Sequence, residues 1–483
     1  MGTGKRFIRN SFANYGQKII RSGIGILTIG MIARHLGPEA FGQYAYILAF
    51  VTISEVTAGM GVPMIFCREV AKDKAKAPQF LAAGLILQSV LSVVTLGIVS
   101  IVFYALAPSK HIFYVALICV VAELFKFLGR FFWAVYQAYE RMGFGTLQTF
   151  ITQTLYLLLV VVAIAYDVGL KGIFGALLGA HLTGCVFAYV VVTRLFARPE
   201  YTEVKGLSKF LFKEAYPLAI RGIFRKFNLR AGILMLAAMR TKYDVGMFSG
   251  PHKIILNLMF IGEASSQALF PVLSRLKEES GSSLRLAYEK SLKFALVLGL
   301  SLAIFLSTFS DSIVVLVFGK QYVQAAPALG ILAWCIVPLF LTSFLEKTLV
   351  AGDKQFLTTV GMGVALGVNV LLNLLLIPHM GYKGSCIAAL VAEMAPVCFG
   401  VYFILKHFRL KVFLPDIIKP LLAGLVTYGI LSMFNGIHFL LGGVLEVGIY
   451  GGILIAIRTF TEDEISFFKQ VLARTPSAKP AGV

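Results

Sequence analysis

Apolar runs of about twenty residues recur along nearly the whole chain, and runs of that length admit few folds. AGLILQSVLSVVTLGIVSIVFYALA at 83–107 and GMGVALGVNVLLNLLLIP at 361–378 carry no charge at all. In hydrocarbon every backbone N–H and C=O needs an internal partner, so only helices or a closed barrel can span. A barrel shows alternation over about ten residues, which these runs lack. Of the 483 residues, 58% are hydrophobic and only 14% charged, too little polar surface for a soluble protein of this size. The expected fold is an all-α polytopic membrane protein.

About fourteen spans fit the length rule, at 13–34, 41–66, 80–106, 112–138, 146–166, 169–195, 211–238, 245–270, 288–310, 324–350, 356–377, 381–405, 417–434 and 438–457. Alternating the loops between two sides puts roughly 27 Lys and Arg on one side against roughly 7 on the other, so the basic side, with both termini, is expected to be cytoplasmic. This loop bias explains most of the formal charge of +20 without nucleic acid. The basic start MGTGKRFIRN has no short apolar core and cleavage site after it, so no cleavable signal is expected. Arg6 stands where myristoylation needs Ser or Thr. The six cysteines have no metal-ligand spacing, and neither zinc nor a cofactor is expected.

Two ungapped self-matches suggest a repeat. Shifted by 207, Gly25-Ile26-Leu27 meets Gly232-Ile233-Leu234, Phe41 meets Phe248 and Arg68 meets Arg275; shifted by 212, GLKG at 169–172 meets GYKG at 381–384. The unit is six spans, an even number, so the copies run parallel about an axis along the membrane normal, an arrangement in which carriers place substrate between the halves. The expected organisation is an N-lobe over 1–200 (spans 1–6), a C-lobe over 201–410 (spans 7–12), and two extra helices with a tail over 411–483.

Loop bias leaves a set of cations inside the spans: Lys18, Arg21, Lys126, Arg130, Arg221, Arg225, Lys226, Arg230, Lys253 and Lys347. Each costs about 2.5–3.5 kcal/mol at mid-helix on insertion scales. At about 100° per residue, Glu214, Arg221, Arg225 and Asn228 share one face of the seventh span, while Lys226 and Arg230 form a second stripe. Lys18, Arg21 and Arg221 can snorkel toward the cytoplasmic end, and Glu123, Lys126 and Arg130 can form a structural network. Snorkelling does not serve Arg225, Lys226 and Arg230 together. The buried acids are fewer, and Glu55, Glu123 and Glu263 are candidates for ion coupling. A polar cavity with surplus positive charge suits a multiply anionic guest, because guanidinium forks match phosphate oxygens. The candidate substrate contacts are Lys18, Arg21, Lys126, Arg130, Arg221, Arg225, Arg230 and Lys253, with Arg221 and Arg225 placed first and Lys226 and Arg230 after them.

RHLGPEAFGQYAYIL, DVGMFSGPHKI, ALFPVLSRL and AGDKQFLTTVGMGVALGVNVLLNLLLIPHMGYKGSCIAAL resemble, in order and spacing, the oligosaccharide (O-antigen-type) flippases of the polysaccharide transporter family, in the MOP exporter superfamily. The resemblance runs over about 5–405. It implies two six-helix lobes in a V-shaped, MATE-like arrangement. It also implies export of undecaprenyl-pyrophosphate-linked oligosaccharide across the bacterial cytoplasmic membrane by alternating access, driven by proton, sodium or membrane potential. Cationic cavity residues are a theme of that family. The partners expected are thus the lipid-linked glycan, membrane lipids, H⁺ or Na⁺, and polysaccharide-assembly proteins. A peptidoglycan-precursor flippase would handle a similar head group. A MATE-type cation exporter expects an acid-rich cavity, and a glycan polymerase or glycosyltransferase expects catalytic motifs such as DxD that the chain lacks; no enzymatic activity is expected.

Overall fold

The computed structural model describes residues 3–106, 109–279, 281–351, 354–408, 414–433 and 438–460. These are helical nearly throughout, and nine helical segments among them are long and apolar enough to cross a membrane. The protein is a multi-pass membrane protein.

The helices run α1 Thr3–Gly59, α2 Val62–Lys72, α3 Ala77–Leu106, α4 Lys110–Ala138, α5 Met142–Ala165, α6 Gly169–Leu195, α7 Val204–Met239 and α8 Lys242–Glu279. They continue as α9 Gly281–Thr308, α10 Ser310–Phe318, α11 Ala326–Ala333, α12 Ile336–Ala351, α13 Gln355–Phe408, α14 Leu414–Ser432 and α15 Phe439–Ala456. Two expected spans are interrupted. The one predicted at 41–66 stops at Gly59 and restarts at Val62, and the one at 324–350 is cut between α11 and α12 at Trp334 and Cys335. Conversely, α1 and α13 each join two expected spans across a sharp kink, at Gly37 (φ 73°) and Gly381 (φ 55°). Both kinks need the left-handed backbone that glycine adopts without a Cβ penalty. Gly169, which the 212-residue shift aligns with Gly381, also has positive φ (62°).

The chain packs as two compact units. The first comprises Met1–Phe260, Val314–Leu332 and Thr358–Pro396; it contains the expected N-lobe together with α7. Within it α4 and α5 pack on α6, α3 lies against α1 and α4, and α7 runs along α1, α2 and α3. Apolar attraction between helices is weak in lipid, so close fit decides the packing. Gly84 sits directly under the Phe131 ring and Gly145 against the Trp133 indole, each too close to admit a Cβ. The outward faces are apolar, as at Val90, Val93, Val94, Ile98 and Ile101 of α3, which suits lipid rather than water.

Where α1 turns beside α8, the contact is backbone on backbone. A Cβ on Gly42 would stand 1.8 Å from the Lys242 carbonyl oxygen, and one on Gly246 would stand 2.1 Å from that of Pro38. Nearby, the Arg34 Nε donates to the Val317 carbonyl at 3.2 Å, and the Arg240 Nε donates to that of Ile377 at 3.1 Å. Arg34 and Arg240 thus each donate to a carbonyl near a helix end or kink.

The second unit comprises Ile261–Ile313, Ala333–Leu357 and Val397–Val483. Its α9 packs against α12, α14 and α15. Leu296, Leu300, Ile304, Ala423, Leu431, Tyr450 and Leu454 make the core, and Phe309 and Phe305 close over Gly442 and Gly443. Its buried Lys293 pairs with Asp416 at 3.0 Å, linking α9 to α14.

Candidate functional site: an ion-pair cluster on α1, α4, α7 and α8

In the first unit, charged side chains converge from helices far apart in sequence. Glu55, on the last turns of α1, is 8% exposed, and Glu123 on α4 is 1% exposed. Lys126, one turn after Glu123, spans the two acids: its Nζ lies 3.0 Å from Glu55 Oε1 and 2.9 Å from Glu123 Oε2. Lys226 of α7 donates to the other Glu55 oxygen, Oε2. The result is a chain Glu123–Lys126–Glu55–Lys226 that runs from α4 through α1 to α7. Burying two carboxylates is tolerable only because each is ion-paired.

Further cations surround this chain. Arg130 acts electrostatically on Glu55, Arg21 on Lys126, and Arg230 on both acids; Lys253 of α8 feels Arg21, Lys126, Lys226 and Arg230. Among the described residues, six cations therefore share one neighbourhood with two carboxylates. Arg21 and Arg130 are exposed. Aromatic and polar groups line its edge: Tyr44 and Tyr156 pair through their hydroxyls at 3.4 Å, His181 Nδ1 lies 3.1 Å from the Ala122 carbonyl, and His252 stacks on Phe248 with ring centres 5.0 Å apart.

The opposite side of α7 carries a different polar group. Asn228 Nδ2 donates to Glu393 Oε1 at 2.9 Å, Asn369 Nδ2 donates to Asn228 Oδ1 at 2.7 Å, and Asn373 Nδ2 donates to Asn369 Oδ1 at 2.5 Å. All four residues are buried. This amide ladder fixes α7 to α13.

The residues singled out from the sequence distribute as follows. Arg21, Lys126, Arg130, Arg230 and Lys253 come together with Glu55 and Glu123, and Lys226 joins them by direct contact. Lys18 and Arg225 lie half-buried on α1 and α7. Arg221 belongs to α7, but its side chain lies outside the described residues. Glu263 falls in the second compact unit. Glu214, expected on the Arg221 face, pairs with Arg68 at 2.9 Å near the start of α7. Among the described residues no group of three or more His, Cys, Asp or Glu could hold a metal.

The profile of the polysaccharide biosynthesis protein family matches residues 7–277, which include every member of this charged cluster. The chain belongs to that family. A second profile, that of the lipid II flippase MurJ, matches residues 254–454. Among curated relatives of this family member, the capsular polysaccharide biosynthesis protein CapF of Staphylococcus aureus is 21% identical over 79% of this chain and 95% of its own. The "Probable low-salt glycan biosynthesis flippase Agl15" of Haloferax volcanii is 19% identical over 92% of this chain and 94% of its own. Among solved structures, the lipid II flippase MurJ in an inward closed conformation superposes with a TM-score of 0.73 at 16% identity, covering 97% of this chain and all of that one. At that identity the likeness establishes the fold, which is the all-helical one expected from the sequence.

Asn369 and Asn373 of the amide ladder are not apparent as site residues from sequence. Their i, i+4 spacing in NVLLN puts them on one helical face, the one signal that could have marked them.

Proposed function

We propose that this family member carries a lipid-linked oligosaccharide with an anionic, pyrophosphate-type head from the inner to the outer leaflet of the bacterial cytoplasmic membrane, for surface polysaccharide assembly. The observation that carries the reading is the cation surplus in the Glu55–Lys126–Lys226 cluster, in a chain whose family and full-length fold neighbour are those of polysaccharide biosynthesis and lipid flipping. The ammonium and guanidinium groups of this cluster would hold phosphate oxygens through charge-assisted hydrogen bonds, while the lipid tail stays in the bilayer. In this reading both termini are cytoplasmic, lobes 1–200 and 201–410 rock to alternate access, and 411–483 is an appendage. Glu55 and Glu123 are the acids closest to the cations, and H⁺ or Na⁺ exchange at either would supply a driving force. Family and fold point to a carrier, not a catalyst.

A peptidoglycan-precursor flippase is the second reading, favoured by the MurJ profile over residues 254–454. One pair of complementation assays separates the two. The chain should restore surface glycan to a strain lacking its polysaccharide flippase and should not rescue growth on depletion of the lipid II flippase. Rescue of growth without glycan export would reverse the assignment.

A further inference from the structure

The two lysines that hold Glu55 do so unequally. Lys126 also engages both oxygens of Glu123, at 3.1 and 2.9 Å, so it keeps a carboxylate if Glu55 turns away. Lys226 has no second carboxylate within ion-pair distance among the described residues. Exposure is graded in the same sense. The acids are 8% and 1% exposed, while Lys126 and Lys226 are 25% and 32% exposed. An arriving anion therefore meets the ammonium groups first and finds the carboxylates behind them.

We propose that Glu55 is a stand-in for the substrate anion: it holds Lys226 until a pyrophosphate-type group takes that lysine over, and the exchange unfastens α1 from α7 at this point. The inference rests on the anionic-head reading above and adds to it which contact must yield. A pyrophosphate offers more charge and more acceptor oxygens than one carboxylate, so it competes well for an ammonium group. Displacement strands no buried charge, because Glu55 stays on Lys126 and the phosphate replaces it on Lys226. Reciprocity follows from linkage. An anion that competes with the clasp favours arrangements in which α1 and α7 are parted there, and parting them raises affinity for the anion. Glu55 also acts as a selector, since a neutral guest has no charge with which to take Lys226 from it and a cationic guest is repelled by the surrounding lysines and arginines.

The test is direct binding of inorganic pyrophosphate to the purified full-length protein, wild type against Glu55→Gln, Glu55→Asp and Lys226→Gln. Removing a competing anion should tighten pyrophosphate binding by about tenfold in Glu55→Gln and by less in Glu55→Asp, whose carboxylate keeps its charge but is drawn back by one methylene. Lys226→Gln should weaken binding, and adding Glu55→Gln to it should restore little. If Glu55→Gln is not recovered folded, Glu55→Asp alone must still bind more tightly than wild type. Equal or weaker binding in the Glu55 variants overturns the clasp. Glycan export by the wild type, measured separately in cells, bears on the flippase reading alone, so export with no tightening in Glu55→Gln rejects the clasp and leaves that reading standing.

Discussion

Lys226 and Asn228 are two residues apart on α7, about 200° around the helix, and their surroundings differ in kind. On the Lys226 side lysines and carboxylates meet in ion pairs, basic residues outnumber acidic ones, and the lysines are about a quarter to a third exposed. On the Asn228 side three amides and one acid lie buried, in short hydrogen bonds that run from one residue to the next. The first side has charge to spare for a guest. The second spends its hydrogen-bonding capacity on holding α7 to α13. On the proposed reading one helix separates recognition from anchorage, and a helix can do so because residues two apart point in nearly opposite directions.

The largest effect should come from removing charge on the first face. Lys226→Gln with Arg230→Gln should lower glycan export by about a hundredfold or more, the loss of two charge-assisted contacts, with membrane abundance and thermal stability close to wild type. A collapse in abundance would mean that both faces are structural. Next in size, Asn228→Leu should leave Glu393 and Asn369 each short of a partner and cost about 2–4 kcal/mol of stability, read as a Tm lower by several degrees. Export should fall only in step with the folded protein. A variant with wild-type Tm and no export would dissolve the distinction between the faces.

The smallest effect serves as a reference in water. Glu69, near the end of α2 and outside the spans, is pushed up by burial. Hydrogen bonds and charge from Arg68 and Lys72 outweigh that and leave the carboxyl below its ordinary value. A carboxylate held lower in the folded state than in the unfolded chain stabilises above its unfolded pKa, and that contribution is lost as pH falls through the folded value. Glu69→Gln should therefore lower Tm slightly at pH 7, with the gap to wild type closing on acidification through the acid range. A gap that widens toward low pH would contradict the sign.

Much of this architecture is legible in the sequence, because a bilayer enforces length and polarity so strictly. The all-helical multi-pass fold and the surplus of cations within it follow from runs and spacings alone. Partners do not. Glu55 and Lys226 stand 171 residues apart, and no local pattern assigns one to the other. Helical periodicity separates the Lys226–Arg230 stripe from the Arg225–Asn228 face but leaves open which one meets Glu55. That depends on how α7 is rotated against α1 and α3, which is settled by packing. The amide ladder is harder still to see, since asparagines in an apolar helix draw little notice until they are found against one another. The breaks at Met60–Gly61 and Trp334–Cys335 escape a length rule because the flanking residues stay apolar across them.

The seam at Gly42 and Gly246 is made without side chains: carbonyl oxygens of Lys242 and Pro38 occupy the room that a Cβ would take. Such a join cannot be tuned by degrees, because a larger residue at either glycine meets backbone and no flexible tip can give way. A charged tip such as Lys226, whose partner Glu55 also holds Lys126, meets no such wall and can be exchanged by itself. On the proposed reading cargo can change through such tips while this join stays whole, so diversity of cargo and constancy of frame need not compete within one chain.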